Sequence, residues 1–174
     1  MKKIFLLAGI MLVSASVFAT ESTLESKEAS VDILAKVVQP LDIKTSPLDF
    51  GMLIPGERKY GDTAGVVNIS GTEGENIKLF VKESDESSYV VNSRENNHYN
   101  VILTTGNGQE ENQKLPTELS IVTPGVEGDR GEEGIYILEA GGKKEFWVNG
   151  YANAKANQAS GEYKGKIYVK AMYQ

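Results

Sequence analysis

The sequence predicts an all-β fold, and three observations lead to it. Apolar residues recur with a period of two, the side-chain repeat of a strand, in run after run. These runs are short and are separated by Gly, Pro and Asn turn signals. No window carries a helical apolar stripe over three turns. Short strands at such spacing describe a β-sandwich or barrel.

The chain begins with an expected export signal over residues 1–19. Lys2 and Lys3 give the positive start, Ile4 to Val13 the apolar stretch, and Val17-Phe18-Ala19 a small-residue site with cleavage after Ala19. The apolar run is too short for a membrane anchor and lacks a stop-transfer flank. No Cys follows it to accept a lipid, and no later stretch is apolar enough to span a bilayer. The mature protein is therefore expected to be exported, with no membrane span. Removing 19 of 174 residues leaves 155, the size of one domain. A chain of that length buries about two-thirds of its unfolded surface. Loss of Lys2 and Lys3 leaves 16 basic against 24 acidic residues, a formal charge of −8. That balance argues against nucleic acid or an anionic membrane as partner. The absence of Cys excludes disulfides, thiol catalysis and thiolate-held metals. Stability must come from the core or from a partner strand.

Residues 20–29 are polar and acidic with one Leu and read as a flexible leader. Residues 30–38 then alternate, with Val31, Ile33, Ala35 and Val37 on one side and Asp32, Leu34, Lys36 and Val38 on the other. Further strands are expected over 48–54, 65–70, 77–82, 88–92, 99–105, 117–122, 134–139, 144–151 and 163–173. Turn residues punctuate them, among them Pro40, Pro47, Pro55-Gly56, Gly106-Asn107-Gly108, Pro124-Gly125 and Gly141-Gly142. The last run is the most regular: Tyr163, Gly165, Ile167, Val169, Ala171 and Tyr173 point one way, and mostly polar residues the other. A chain end this regular is expected to be tied into a sheet. No repeat or linker divides residues 39–174, which read as one domain.

Little in the sequence carries chemistry. His98, the single His, stands in a polar Asn-rich turn and reads as solvent-exposed rather than as a base or ligand. There is no nucleophile elbow, phosphate loop or zinc-binding helix motif. Carboxylates are plentiful, but no spacing pairs them for glycoside hydrolysis. The acidic loops Glu83 to Ser88 and Gly125 to Gly134 lack the regular spacing of a calcium loop, and Arg130 interrupts the second. They read as solvated loops. Phe146 and Trp147 are adjacent, so one must face the core and the other outward. The outward ring either rests under a loop or stacks on a sugar. Tyr151, Tyr163, Tyr168 and Tyr173 suit strands, with their hydroxyls reaching the rim. These residues imply no enzyme and no cofactor.

Three stretches resemble exported bacterial pilins of the chaperone–usher and colonisation-factor type. Val31-Asp32-Ile33-Leu34-Ala35-Lys36-Val37-Val38-Gln39-Pro40-Leu41-Asp42-Ile43 resembles their N-terminus, in which alternating apolar residues precede a Pro-containing break and the first strand. Leu48-Asp49-Phe50-Gly51-Met52-Leu53-Ile54-Pro55-Gly56 resembles the early strand and turn of a poorly characterised family of exported pilin-like domains. Ala156 to Gly165 and the strand beyond resemble the close of both groups, with Gly161 fourteenth from the end and Tyr173 penultimate. The resemblance implies an immunoglobulin-like sandwich that lacks one strand. A neighbour's N-terminal segment fills the gap in such pilins, giving both ladder hydrogen bonds and side chains.

Carried onto this chain, the donor strand is Val31, Ile33, Ala35 and Val37. The acceptor groove is edged by Ile167, Val169, Ala171 and Tyr173, and a shallow pocket should face Ala35. The expected function is that of a structural subunit of a surface fimbria, a shaft subunit by its single domain. Its implied partners are identical or related subunits, a periplasmic chaperone and an outer-membrane usher, on a route through the periplasm to the cell surface. The alternative is that residues 30–38 complete their own fold. The protein would then be a monomeric exported binding module for a glycan or a protein.

Overall fold

The computed structural model describes residues 28–125 and 132–174. The export signal, its cleavage point at Ala19, residues 20–27 of the leader and residues 126–131 of the second acidic loop lie outside them. The chain divides after Ala35. In the first unit the described residues 28–35 form no strand, and Val31, Ile33 and Leu34 are 84, 93 and 91% exposed. The strand expected over 30–38 is therefore absent from this structure. An alternating segment gains ladder bonds and burial only where a partner edge receives it.

The second unit carries ten strands among the described residues: β1 (Asp42–Ser46), β2 (Arg58–Tyr60), β3 (Gly65–Ser70), β4 (Asn76–Lys82), β5 (Val90–Val91), β6 (His98–Thr104), β7 (Lys114–Val122), β8 (Ile135–Ile137), β9 (Lys143–Asn153) and β10 (Tyr168–Tyr173). Two antiparallel sheets result. The larger runs β1-β3-β9-β7-β6, with β2 also on β9; the smaller runs β10-β4-β5, with β8 also on β4. The long β9 holds the larger sheet together because every second residue is buried on its inner face, apolar or small from Phe146 onward and preceded by Lys144, whose ammonium pairs with Glu139. Lys144, Phe146, Val148, Gly150 and Ala152 are all buried.

One core lies between the sheets. Ile69, Ile121 and Phe146 from the larger sheet meet Ile77, Leu79, Val81 and Tyr136 from the smaller. The Tyr136 and Phe146 rings pack edge to face with centroids 4.7 Å apart, which is the favoured aromatic geometry. Beside them lies a buried polar network. Tyr99 donates its hydroxyl hydrogen to Asn92 Oδ1 at 2.7 Å, and Asn92 Nδ2 donates to the Tyr136 hydroxyl at 2.8 Å. Burial, with Tyr136 and Glu83 nearby, pushes the Tyr99 hydroxyl well above its ordinary value of 10.0. The unfolded chain thus loses this proton first as pH rises. Stability is expected to be complete below about pH 10 and to fall above it by up to about 1.4 kcal/mol per pH unit. Denaturant titrations across that range check this, and Tyr99→Phe should flatten the slope.

Three other expectations need correction. Residues 48–54 make only one bridge, Asp49 to Thr63, because Gly51 turns left-handed at φ 61° and the Asp49 carboxylate accepts its N–H. Residues 163–173 are strand only from Tyr168 onward; before it, Lys164 bridges Thr104 in the other sheet. The chain changes sheets across Gly165 to Ile167. Lastly, β2 was not among the expected runs, and β1 was implied only by the resemblance, as the strand after Pro40, since Asp-Ile-Lys-Thr-Ser and Arg-Lys-Tyr carry almost no apolar pattern.

Candidate functional site: an open seam between the two sheets

The strands β1 and β10 each lie at the edge of their own sheet. Among the described residues β1 pairs only with β3 and β10 only with β4, so neither strand bonds to the other sheet. Apolar side chains line the gap. One cavity of about 830 Å³ reaches from Ser46 and Leu48 on one lip to Ile167 and Val169 on the other. Its floor includes Val67, Val101, Leu119 and Val148, which are core residues exposed by 5% or less. A second cavity of about 500 Å³ shares Leu48, Phe50, Leu103 and Tyr163 with the first and extends the seam toward Leu53 and Pro55. Thr117 is the polar group on the floor, and its hydroxyl is satisfied by donating to the Val101 carbonyl at 2.7 Å. The seam is therefore long, with an apolar floor and with Asp49, Glu162, Lys164 and Lys166 among the residues at its rim.

Its ends are fixed by tyrosines. At the far end of β10 the Tyr173 hydroxyl donates to the Gln39 carbonyl at 2.6 Å and accepts from the Thr72 N–H at 2.9 Å. This contact needs Gly71, where an added Cβ would stand 2.3 Å from the Tyr173 hydroxyl. At the other end, the Tyr163 hydroxyl sits 2.9 Å from the Asn112 carbonyl and 2.8 Å from that of Ala159, and accepts from Gln158 Nε2 at 2.7 Å. Beside it, Lys114 and Lys155 grip Glu111 and hold its carboxyl below the usual carboxylate range. Tyr173→Phe should cost about 1 kcal/mol by removing this tie, read as a lower denaturation midpoint.

The sequence-predicted groove residues are placed as follows. Ile167 and Val169 line the larger cavity. Ala171 and Tyr173 share their face and pack against the core but lie outside the cavity lining. All four are half-buried, although they point inward. The opposite lip and the floor escaped sequence reasoning; Phe50, buried between Pro47 and Pro55, was the available signal. On the candidate donor, Val31, Ile33 and Val37 are 84, 93 and 95% exposed, and Ala35 is exposed too.

Elsewhere, His98 starts β6 on an exposed face. Among the described residues no group of three or more His, Asp or Glu could hold a metal ion, and no helix is long and apolar enough to cross a membrane. Phe146 is the core-facing member of its pair, while Trp147 is 40% exposed. No known protein family and no curated protein matches the chain.

Proposed function

We propose that this chain is a non-enzymatic structural subunit of a surface fimbria and that it polymerises by donor-strand exchange. In this reading the two sheets form an immunoglobulin-like sandwich short of one strand. The observation that carries it is the pairing of an open apolar seam, bordered by the free edge of β10, with an exposed alternating segment at 30–38. A strand from a second copy would use the unpaired backbone of β10 and seat Val31, Ile33, Ala35 and Val37 on the apolar floor. Burying three β-branched side chains contributes about 5–8 kcal/mol before ordering costs. Donor and acceptor lie on different parts of one chain, so the contact is head-to-tail, and in this reading it leaves an open end at each step and builds a filament. A subunit with such a seam needs a capping partner in transit, which is the role of a periplasmic chaperone, and an outer-membrane usher for assembly.

The test is an immunoblot of material sheared from the cell surface, run unheated and after boiling in detergent. A ladder that collapses to one band near the mature mass is expected, since no disulfide holds this Cys-free chain. A lone monomer band in both lanes overturns the reading in favour of a self-completed binding module.

A further inference from the structure

The outward face of the larger sheet carries a second surface, independent of the seam. Alternation along β9 sends Trp147, Asn149, Tyr151 and Asn153 outward. The register sets Tyr60 and Glu118 on either side of Tyr151, and Ser120 beside Asn149. Three large aromatic rings are thereby exposed on one face: Tyr60 by 47%, Tyr151 by 41% and Trp147 by 40%. The polar groups among them are already braced. The Arg58 guanidinium lies 4.3 Å from the Tyr151 ring centroid and donates to Glu118 Oε2 at 2.9 Å, while Asn153 donates to Glu118 Oε1 at 3.1 Å. Tyr60 packs its ring against Tyr151 at 5.0 Å, and the Trp147 indole N–H donates to Glu145 at 2.8 Å.

We infer that this face binds a neutral oligosaccharide. The sugar ring presents apolar C–H faces and hydroxyl edges, and the surface offers the complement of both. Trp147 and Tyr151 stand four residues apart on one strand, about 13 Å, which several linked sugar rings can span. Between them Asn149 and Ser120 offer amide and hydroxyl partners. The charges select against other ligands. Arg58 is paired with Glu118, and Glu118 and Glu145 set two carboxylates beside the rings against Arg58 and the exposed Lys143, so the charge around the rings balances and favours no polyanion. The interleaved amides and carboxylates would be stranded under an apolar partner. Preformed side-chain contacts reduce the ordering cost of binding.

Trp147 is the single Trp, so its fluorescence reports the site directly. The mature protein is titrated to millimolar concentrations with cellohexaose, chitohexaose, mannohexaose and, as a charged control, a heparin oligosaccharide. A saturable change in Trp147 emission with at least one neutral oligosaccharide is expected. Tyr151→Ala should weaken it roughly tenfold, and Tyr151→Phe, which keeps the ring and its packing against Tyr60 and Arg58, should retain both binding and thermal stability. No change with any neutral probe, or binding of heparin alone, overturns the inference. So does an emission change on concentrating the protein without sugar, which would make this face a contact between copies.

Discussion

Replacing both Val31 and Ile33 with Asp is expected to abolish filaments while leaving a folded subunit bound to its chaperone. The asymmetry follows from where these side chains lie. In the subunit they are 84 and 93% exposed and make no strand, so a carboxylate there meets water and costs the fold nothing. In a filament the same positions would face Val67, Val101, Leu119 and Val148, where an unpaired carboxylate has no partner. The substitution removes most of the apolar gain of about 5–8 kcal/mol and adds a desolvation cost of several kcal/mol per charge. Either effect suffices, and together they exceed any remaining contribution from Ala35 and Val37. Electron microscopy of the cell surface and co-purification with the chaperone read the two halves of the prediction. Filaments of normal number and length would sink the assignment of 30–38 as donor. A subunit lost from the periplasm altogether would mean that these residues serve the fold itself.

The legible parts of this protein are those in which one residue type decides the outcome. β3, β4, β6, β7 and β9 announce themselves because each alternates between a buried and a wet face. The adjacent Phe146 and Trp147 could be split between core and surface by the pleat alone. β1 and β2 stay hidden because an edge strand needs few apolar residues, and Ile43 and Lys59 are their only half-buried positions. Residues 48–54 mislead for the opposite reason: they are apolar enough, but Gly51 takes a conformation that no strand tolerates. The seam was legible only on one lip. Alternation along Ile167 to Tyr173 marks a half-buried face, yet nothing in the letters shows that β1 and β10 end in different sheets. That gap is a property of topology, fixed by pairings as distant as Asp42 with Ser70 and Tyr173 with Ile77.

If the seam is a vacancy for one particular strand, a peptide should fill it. The Val31→Asp, Ile33→Asp subunit has a disabled donor but an intact seam, which makes it a clean acceptor. Adding a synthetic peptide of residues 29–39 is expected to raise its unfolding temperature, whereas the same peptide carrying both Asp substitutions should not. At a peptide concentration of 100 Kd the gain is about 2.7 kcal/mol, or roughly 5–10 °C for a domain of this size. Backbone pairing alone would not discriminate the two peptides, because both offer the same N–H and C=O groups to the free edge of β10. The difference between them therefore isolates what the apolar floor contributes. Equal shifts would mean that the edge of β10 binds any extended peptide and that the cavities play no part in choosing it. No shift with either would mean that the seam receives something other than this segment, and the filament would need a different joint.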